Sequence, residues 1–386
     1  MQLTWVYDHT AGSNIGHPNL SLMEAEPFTK EWHEFGQHWP WVIPFRFLMY
    51  LDHNHISYRV EQTQWAENGW YPIGLNWFDF DIDYFSLIPE VTRDRAKQGK
   101  FKILFYYHEG DNPSRISSRL VELATAHGLL DRFIFVSANT AAENYFDDHE
   151  CFFRYVNRNQ SPRKQIDSIP EHDFTLLNRV NKWWRLSCVT DLWREGLLEN
   201  SLWSYDTSVK IIDSDIDNPI SIKTVPGWEK ATGEFLSSGP YICDDLDRAQ
   251  KNDHRYVNEE LYSRSCFHVV METHFDADQS DGTFLTEKTW KCIKYAQPFV
   301  IVGPAGTLQH LRDLGYRVFD SVLDNSYDGI SDPTERWLAI KKLLQDIKSS
   351  KIKDLYRRCL HDVEWNRYWF SQRQWLALEP MIRLLK

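Results

Sequence analysis

Cysteine is sparse and unpatterned in this chain: six in 386 residues, at 151, 188, 243, 266, 292 and 359, with no Cys-x-x-Cys and no even framework spacing. That argues against a disulfide-stapled scaffold and fits free thiols in a reducing compartment. Long apolar runs are missing too. None reaches the roughly 18–20 residues that a membrane-crossing helix needs. The opening Met1-Gln-Leu-Thr-Trp-Val-Tyr-Asp8 does not read as a secretory signal, so a soluble cytoplasmic protein with no membrane partner is expected. Positive charge is in deficit, 43 Lys and Arg against 55 Asp and Glu, giving a formal net charge of −12. This argues against broad, nonspecific nucleic-acid binding but leaves room for a local basic cleft. Internal repeats and low-complexity tracts are also lacking. Histidines cluster early, at 9, 17, 33, 38, 53 and 55, but their spacings match no metal-ligand motif.

Aromatic residues are abundant: 17 Trp, 18 Tyr and 22 Phe, far too many for a disordered chain. The length favours two domains. Apolar periodicity predicts strands at Leu3–Tyr7, Phe45–Leu51, Trp70–Trp77, Lys102–Tyr107, Arg132–Ser137 and Phe174–Asn178. Helices are expected over Tyr84–Gln98, Ser114–His127, Trp183–Glu195 and Glu335–Ile347, and in the last 35 residues. The polar stretch Asn157–Pro170 reads as a linker, and 206–255 as an irregular insertion. The expected fold class is α/β with two Rossmann-like domains: 1–160, 171–334, and C-terminal helices over 335–386 that pack across both.

Cys266–Glu272 is an apolar, β-branched strand, and Phe284-Leu-Thr-Glu-Lys288 opens a helix with Thr286 as its N-cap. A lysine in a first helical turn opposes the helix dipole, at about 0.3–1 kcal/mol. A bound phosphate would remove the conflict. A short buried strand, Gln297-Pro-Phe-Val-Ile-Val-Gly303, leads into the Gly303–Gly306 loop, a helix capped by Thr307, and a stop at Gly315. Strand–helix–strand–helix order predicts a parallel sheet, whose ligands lie outside the carboxyl ends of its strands. Glu272, Glu287, Lys288 and Gly303 all fall at that edge.

This segment resembles the donor-binding motif of the α1,3-fucosyltransferase family, in which a strand ending Phe-Glu-Asn-Ser precedes Tyr-Ile-Thr-Glu-Lys and then Val-Pro-Val-Val-x-Gly. Here Met271-Glu-Thr-His274 replaces the first element. The glutamate–lysine pair and the Pro-x-Val/Ile-x-Gly strand are retained. The resemblance implies a GT-B-like fold with the nucleotide-sugar donor in the second domain and the acceptor mostly in the first. It makes Arg185, seven residues before Leu192, the candidate for the donor diphosphate. Arg179, nearer the strand end beside Asn178, is the rival. The same C-terminal pattern also looks like that of phage and marine bacterial proteins, so a phage-type homologue acting on hydroxylated bases in DNA, in the host cytoplasm, is within its scope.

Glu109 follows the strongest first-domain strand, in His108-Glu-Gly-Asp-Asn-Pro113. The resemblance makes it the catalytic base, and a strand-end carboxylate can accept the acceptor hydroxyl's proton. His108 and Asp111 are alternatives for that role. Asp79-Phe-Asp81-Ile-Asp83 carries two Asp-x-Asp patterns, which would hold a divalent cation in a metal-dependent transferase. The preferred reading is an inverting glycosyltransferase with no metal and no cofactor, whose donor is a nucleotide-diphosphate sugar and whose acceptor is a hydroxyl of a glycan or a modified DNA base. In that reading Lys288 and Arg185 meet the diphosphate, and Glu272 and Glu287 meet ribose or sugar hydroxyls. A non-catalytic sugar- or nucleotide-binding phage protein is the other reading.

Overall fold

The structure is a computed structural model that describes residues 3–7, 20–21, 55–75, 78–107, 112–145, 169–178, 181–207, 228–243, 257–275, 282–373 and 383–385. The chain divides into two compact units, Met1–Val156 with Arg373–Lys386, and Asn157–Gln372. Each is α/β and is built on its own sheet.

The first unit contains β1 (Leu3–Tyr7), β2 (Leu20–Ser21), β3 (Tyr58–Gln62), β4 (Gly69–Leu75), β5 (Phe101–Tyr107) and β6 (Phe133–Ser137). Its strand order is β3-β1-β4-β5-β6, all neighbours parallel, with β2 pairing antiparallel to β4. Two helices serve as crossovers, α1 (Glu90–Lys97) and α2 (Pro113–Ala126). Their apolar stripes, Ile116, Leu120 and Ala124 among them, pack on Ile73, Phe105 and Tyr107 of the sheet. The chain's end returns to this unit, where Trp70 Nε1 donates to Leu385 O at 3.0 Å. Helix α1 is shorter than its periodicity predicts. Pro89 disfavours helical backbone at Ile88, and the Asp83 carboxylate takes the amides of Phe85 and Ser86 at 3.1 Å each, so 78–88 forms turns instead. The expected strand over 45–51 lies outside the described residues.

The second unit contains β7 (His172–Asn178), α3 (Trp183–Arg194), β8 (Leu202–Tyr205), α4 (Trp228–Ser238), α5 (Glu259–Arg264), β9 (Ser265–Met271), α6 (Glu287–Lys294), β10 (Phe299–Val302), α7 (Thr307–Asp313), α8 (Pro333–Ser349) and α9 (Ile352–Arg373). Helix α4 lies within 206–255, which had read as wholly irregular. The sheet order is β10-β9-β7-β8, all parallel. All seven residues of β9 are buried, as a central strand covered on both faces requires. The cap of α7 is Gly306 rather than Thr307. Its φ of +83° suits glycine, and Thr307 Oγ1 donates to Pro304 O at 2.7 Å instead.

His268, inside β9, packs against the Tyr262 ring at 5.1 Å and lies 3.2 Å from Gln297 Oε1 through Nδ1. Burial pushes its pKa down to about 4 against the pull of the Gln297 bond. The unfolded imidazole titrates near 6.5, so between those values the unfolded chain binds a proton that the folded chain refuses. Stability therefore falls as pH drops through this window, by roughly 3 kcal/mol in full. Urea unfolding at pH 7 and pH 5, an interval that contains about 2 kcal/mol of this loss, should show it in the wild type and a visibly smaller change in His268→Phe. Equal losses in the two proteins would refute the assignment.

Candidate functional site

From β7 the chain crosses through α3 to β8 on one side, and from β9 it crosses through α6 to β10 on the other. The strand order therefore reverses between β7 and β9. With the near-universal right-handed crossover, α3 and α6 fall on opposite faces of the sheet. The carboxyl ends of β7 and β9 therefore flank a topological switch point, the place at which open α/β sheets bind ligands. Asn178, Glu272 and the first turns of α3 and α6 border it.

Thr286 caps α6, its Oγ1 accepting from Lys288 N at 3.3 Å. The Lys288 side chain, 28% exposed, folds back over that turn. Its Nζ lies 3.2 Å from Thr286 Oγ1, 3.3 Å from Thr273 Oγ1 and 3.0 Å from Glu287 Oε1. The conflict between a cation and a helix start is thus met by two hydroxyls and one carboxylate. Beneath them the Glu272 carboxylate has no exposure. Its Oε1 accepts from Thr286 N at 3.3 Å and Thr289 Oγ1 at 2.5 Å, and its Oε2 from Thr273 N at 3.2 Å and Thr286 Oγ1 at 2.5 Å. Four donors inside the chain saturate this carboxylate, so in this state it holds the α6 turn and does not face a ligand. Gly303 closes the back: a Cβ there would lie 3.2 Å from Thr307 Oγ1 and 3.5 Å from Glu272 Cβ.

Arg185 is 3% exposed. Its Nη2 donates to Met271 O at 3.2 Å and Glu272 O at 2.6 Å, tying the first turn of α3 to the end of β9. Helix α3 begins without a capping side chain among the described residues. Asn178 ends β7 opposite Tyr205 of β8. Both residues are buried, and neither the Asn178 amide nor the Tyr205 hydroxyl has a hydrogen-bond partner among the described residues. Burial pushes the Tyr205 phenol well up, with the Arg185 charge pulling the other way.

The start of α7 is occupied from within. Asp328 Oδ1 and Oδ2 accept from Leu308 N and Gln309 N, both at 2.8 Å. Burial raises the Asp328 pKa, with those two amides pulling the other way. Arg336, 1% exposed, binds the loops that follow β9 and β10. It donates to Gly303 O at 3.1 Å, Ile330 O at 2.7 Å and Ser331 O at 2.9 Å, and also to Phe275 O. No local sequence signal marks Arg336 or Asp328 for these tasks. Thr289, one turn beyond the Thr286 cap, had a signal in its helical spacing.

The structure therefore brings together Asn178, Arg185, Glu272, Glu287, Lys288 and Gly303. Glu109 and Arg179, with His108 and Asp111, lie outside the described residues. Asn112 caps α2, its Oδ1 accepting from Ser114 N at 3.0 Å and Arg115 N at 3.3 Å. The Asp79 and Asp83 carboxylates serve local turns, and Asp83 also meets a histidine of the chain. Asp79 Oδ1 accepts from Asp81 N at 2.9 Å, and Asp83 Oδ2 meets His127 Nε2 at 2.7 Å. Burial alone would raise the Asp83 pKa, but bonds from His127 and the nearby amides hold it below its usual value. Among the described residues no three His, Cys, Asp or Glu side chains converge on a metal position, and no helix is long and apolar enough to cross a membrane.

No family model and no curated protein matches the chain. Among solved structures it is similar to a DNA-modifying β-glucosyltransferase determined with and without uridine diphosphoglucose, at 11% identity over 98% of this chain and 99% of that one, with a TM-score of 0.39.

Proposed function

We propose that this chain is a metal-independent, inverting glycosyltransferase of GT-B type that moves a sugar from a nucleotide-diphosphate donor to a hydroxyl acceptor. The observation that carries the reading is the ammonium of Lys288, seated on hydroxyls at a capped helix start beside the switch point of a parallel sheet. A fixed cation and a helix dipole in that place suit the charge that develops on a departing diphosphate. The Thr286-Glu287-Lys288 and Gln297–Gly303 motifs, which resemble those of the fucosyltransferases, support the same reading.

Lys288 is the group that contacts the diphosphate. Arg185 holds the end of β9 and adds positive charge from behind. The Glu287 carboxylate, at the rim, is suited to ribose or sugar hydroxyls. Glu109, after β5, is the base that takes the acceptor's proton, and a single displacement with one base inverts the anomeric carbon. The acceptor is a glycan hydroxyl or a hydroxylated base in DNA.

The test is a thermal-shift series with GDP, UDP, CDP and ADP and their sugar conjugates, on the wild type and Lys288→Ala. A ligand that binds only the folded chain stabilises it by mass action, by about 2.7 kcal/mol at a hundredfold excess over Kd. One nucleotide should raise the wild-type melting temperature, name the base, and lose its effect in Lys288→Ala. Silence from every nucleotide would remove the transferase reading and leave a binding or structural role. Once a donor is known, Glu109→Gln should still bind it but turn over at least roughly a hundredfold more slowly.

A further inference from the structure

The Lys288 seat contains a second layer that a merely solvated lysine would not need. We propose that Thr286 is a positioning residue, relaying the buried charge of Glu272 to Lys288 and thereby fixing the ammonium where a diphosphate oxygen arrives. This rests on the donor-site reading above and assigns the work of that site to two residues that do not themselves touch the ligand.

The Thr286 hydroxyl has a single proton to donate. At 2.5 Å from Glu272 Oε2 the hydroxyl donates to the carboxylate, which leaves its lone pairs for Lys288 N at 3.3 Å and Lys288 Nζ at 3.2 Å. A hydroxyl that donates to a buried anion becomes a better acceptor, because bonds in such a chain polarise one another. The carboxylate is itself immobilised by Thr273 N, Thr286 N and Thr289 Oγ1. Lysine is otherwise a point charge on a flexible stem. Here two hydroxyls on its buried side restrain it, Thr286 and Thr273, while its third partner is the Glu287 carboxylate. Exchange of Glu287 for a phosphate oxygen would leave the buried pair of bonds intact.

The relay differs in sign from a through-space effect. A negative charge beneath an anion site repels the anion, so neutralising Glu272 should tighten binding if only distance matters. If the relay operates, neutralising Glu272 loosens Lys288 and weakens binding.

The experiment is isothermal titration of the full chain with inorganic pyrophosphate and with GDP, UDP, CDP and ADP, circular dichroism confirming the fold of each variant. Thr286→Ser keeps the hydroxyl and should bind within about threefold of wild type. Thr286→Val and Glu272→Gln should each bind about tenfold more weakly, the loss of one charge-assisted bond. Thr286→Val should have no further effect in a Lys288→Ala background. Lys288→Arg, at a partly exposed position, keeps the charge but not the seat, and should also lose about tenfold; it decides the matter should either buried variant fail to fold. Wild-type affinity in Lys288→Arg, tighter binding in Glu272→Gln, or an equal Thr286→Val loss without Lys288 would each overturn the relay while leaving the donor site standing. A wild-type chain that binds none of the five probes overturns the donor reading, and the relay with it.

Discussion

Arg336→Met is expected to destabilise the second unit by on the order of 4 kcal/mol, the largest effect foreseen for any single side chain. The guanidinium is buried and bonded to four backbone carbonyls, those of Phe275, Gly303, Ile330 and Ser331, and its Cζ sits 4.7 Å from the Phe275 ring centre. Methionine fills the volume of the stem but donates nothing, so four carbonyls lose a charged donor at once. Arg336→Lys restores the charge as a compact ammonium that cannot span all four acceptors, and should recover at most about half the loss. Thermal unfolding is the measurement, with about 2–4 °C expected per kcal/mol for a unit of this size. A melting temperature within 2 °C of wild type in Arg336→Met would show that these loops hold without it. If the proposed donor site is right, the same variant should also weaken nucleotide binding, since Gly303 and Phe275 follow the ends of β10 and β9.

Gly315→Ala should be the second most damaging change, at roughly 3 kcal/mol. Gly315 ends α7 with φ at +89°, and a Cβ there would lie 2.6 Å from Trp369 Nε1. The indole cannot easily yield. Trp369 Nε1 donates to Leu314 O at 2.8 Å, Trp365 Nε1 donates to Gly315 O at 3.0 Å, and the two rings are nearly parallel at 6.0 Å. Backbone strain and steric overlap therefore add. Trp369→Ala separates them: in that background Gly315→Ala should cost only the left-handed conformation, about 1–2 kcal/mol. An unchanged penalty in the double variant would mean that the overlap with the indole contributes nothing.

Much of the second unit was legible in the sequence because its signals are local. The β-branched run of β9, the Thr286 cap and the Gly315 stop each declare themselves within a few residues. The Lys288 anomaly was equally local, a cation at the wrong end of a helix. What the sequence concealed depends on distant partners. Arg336 meets Phe275 from 61 residues away and Gly303 from 33. Asp328 caps amides 19 and 20 residues earlier. The burial of Glu272 was partly foreseeable from its place at the end of a fully apolar strand. Its saturation by three threonines was not, because threonine in a polar loop reads as solvated. Helix α1 was overdrawn because the apolar spacing already begins at Tyr84, ahead of Pro89, and α4 was missed because Asp, Pro and Gly residues surround it.

Asp328 gives the sheet edge an asymmetry of another kind. A carboxylate that belongs to the chain cannot diffuse away, so at the start of α7 Asp328 competes as an intramolecular partner against any free anion. An anion arriving at this edge finds the α7 start already taken, whereas at the proposed donor site on the α6 turn Lys288 holds an internal partner, Glu287, that an external anion could replace.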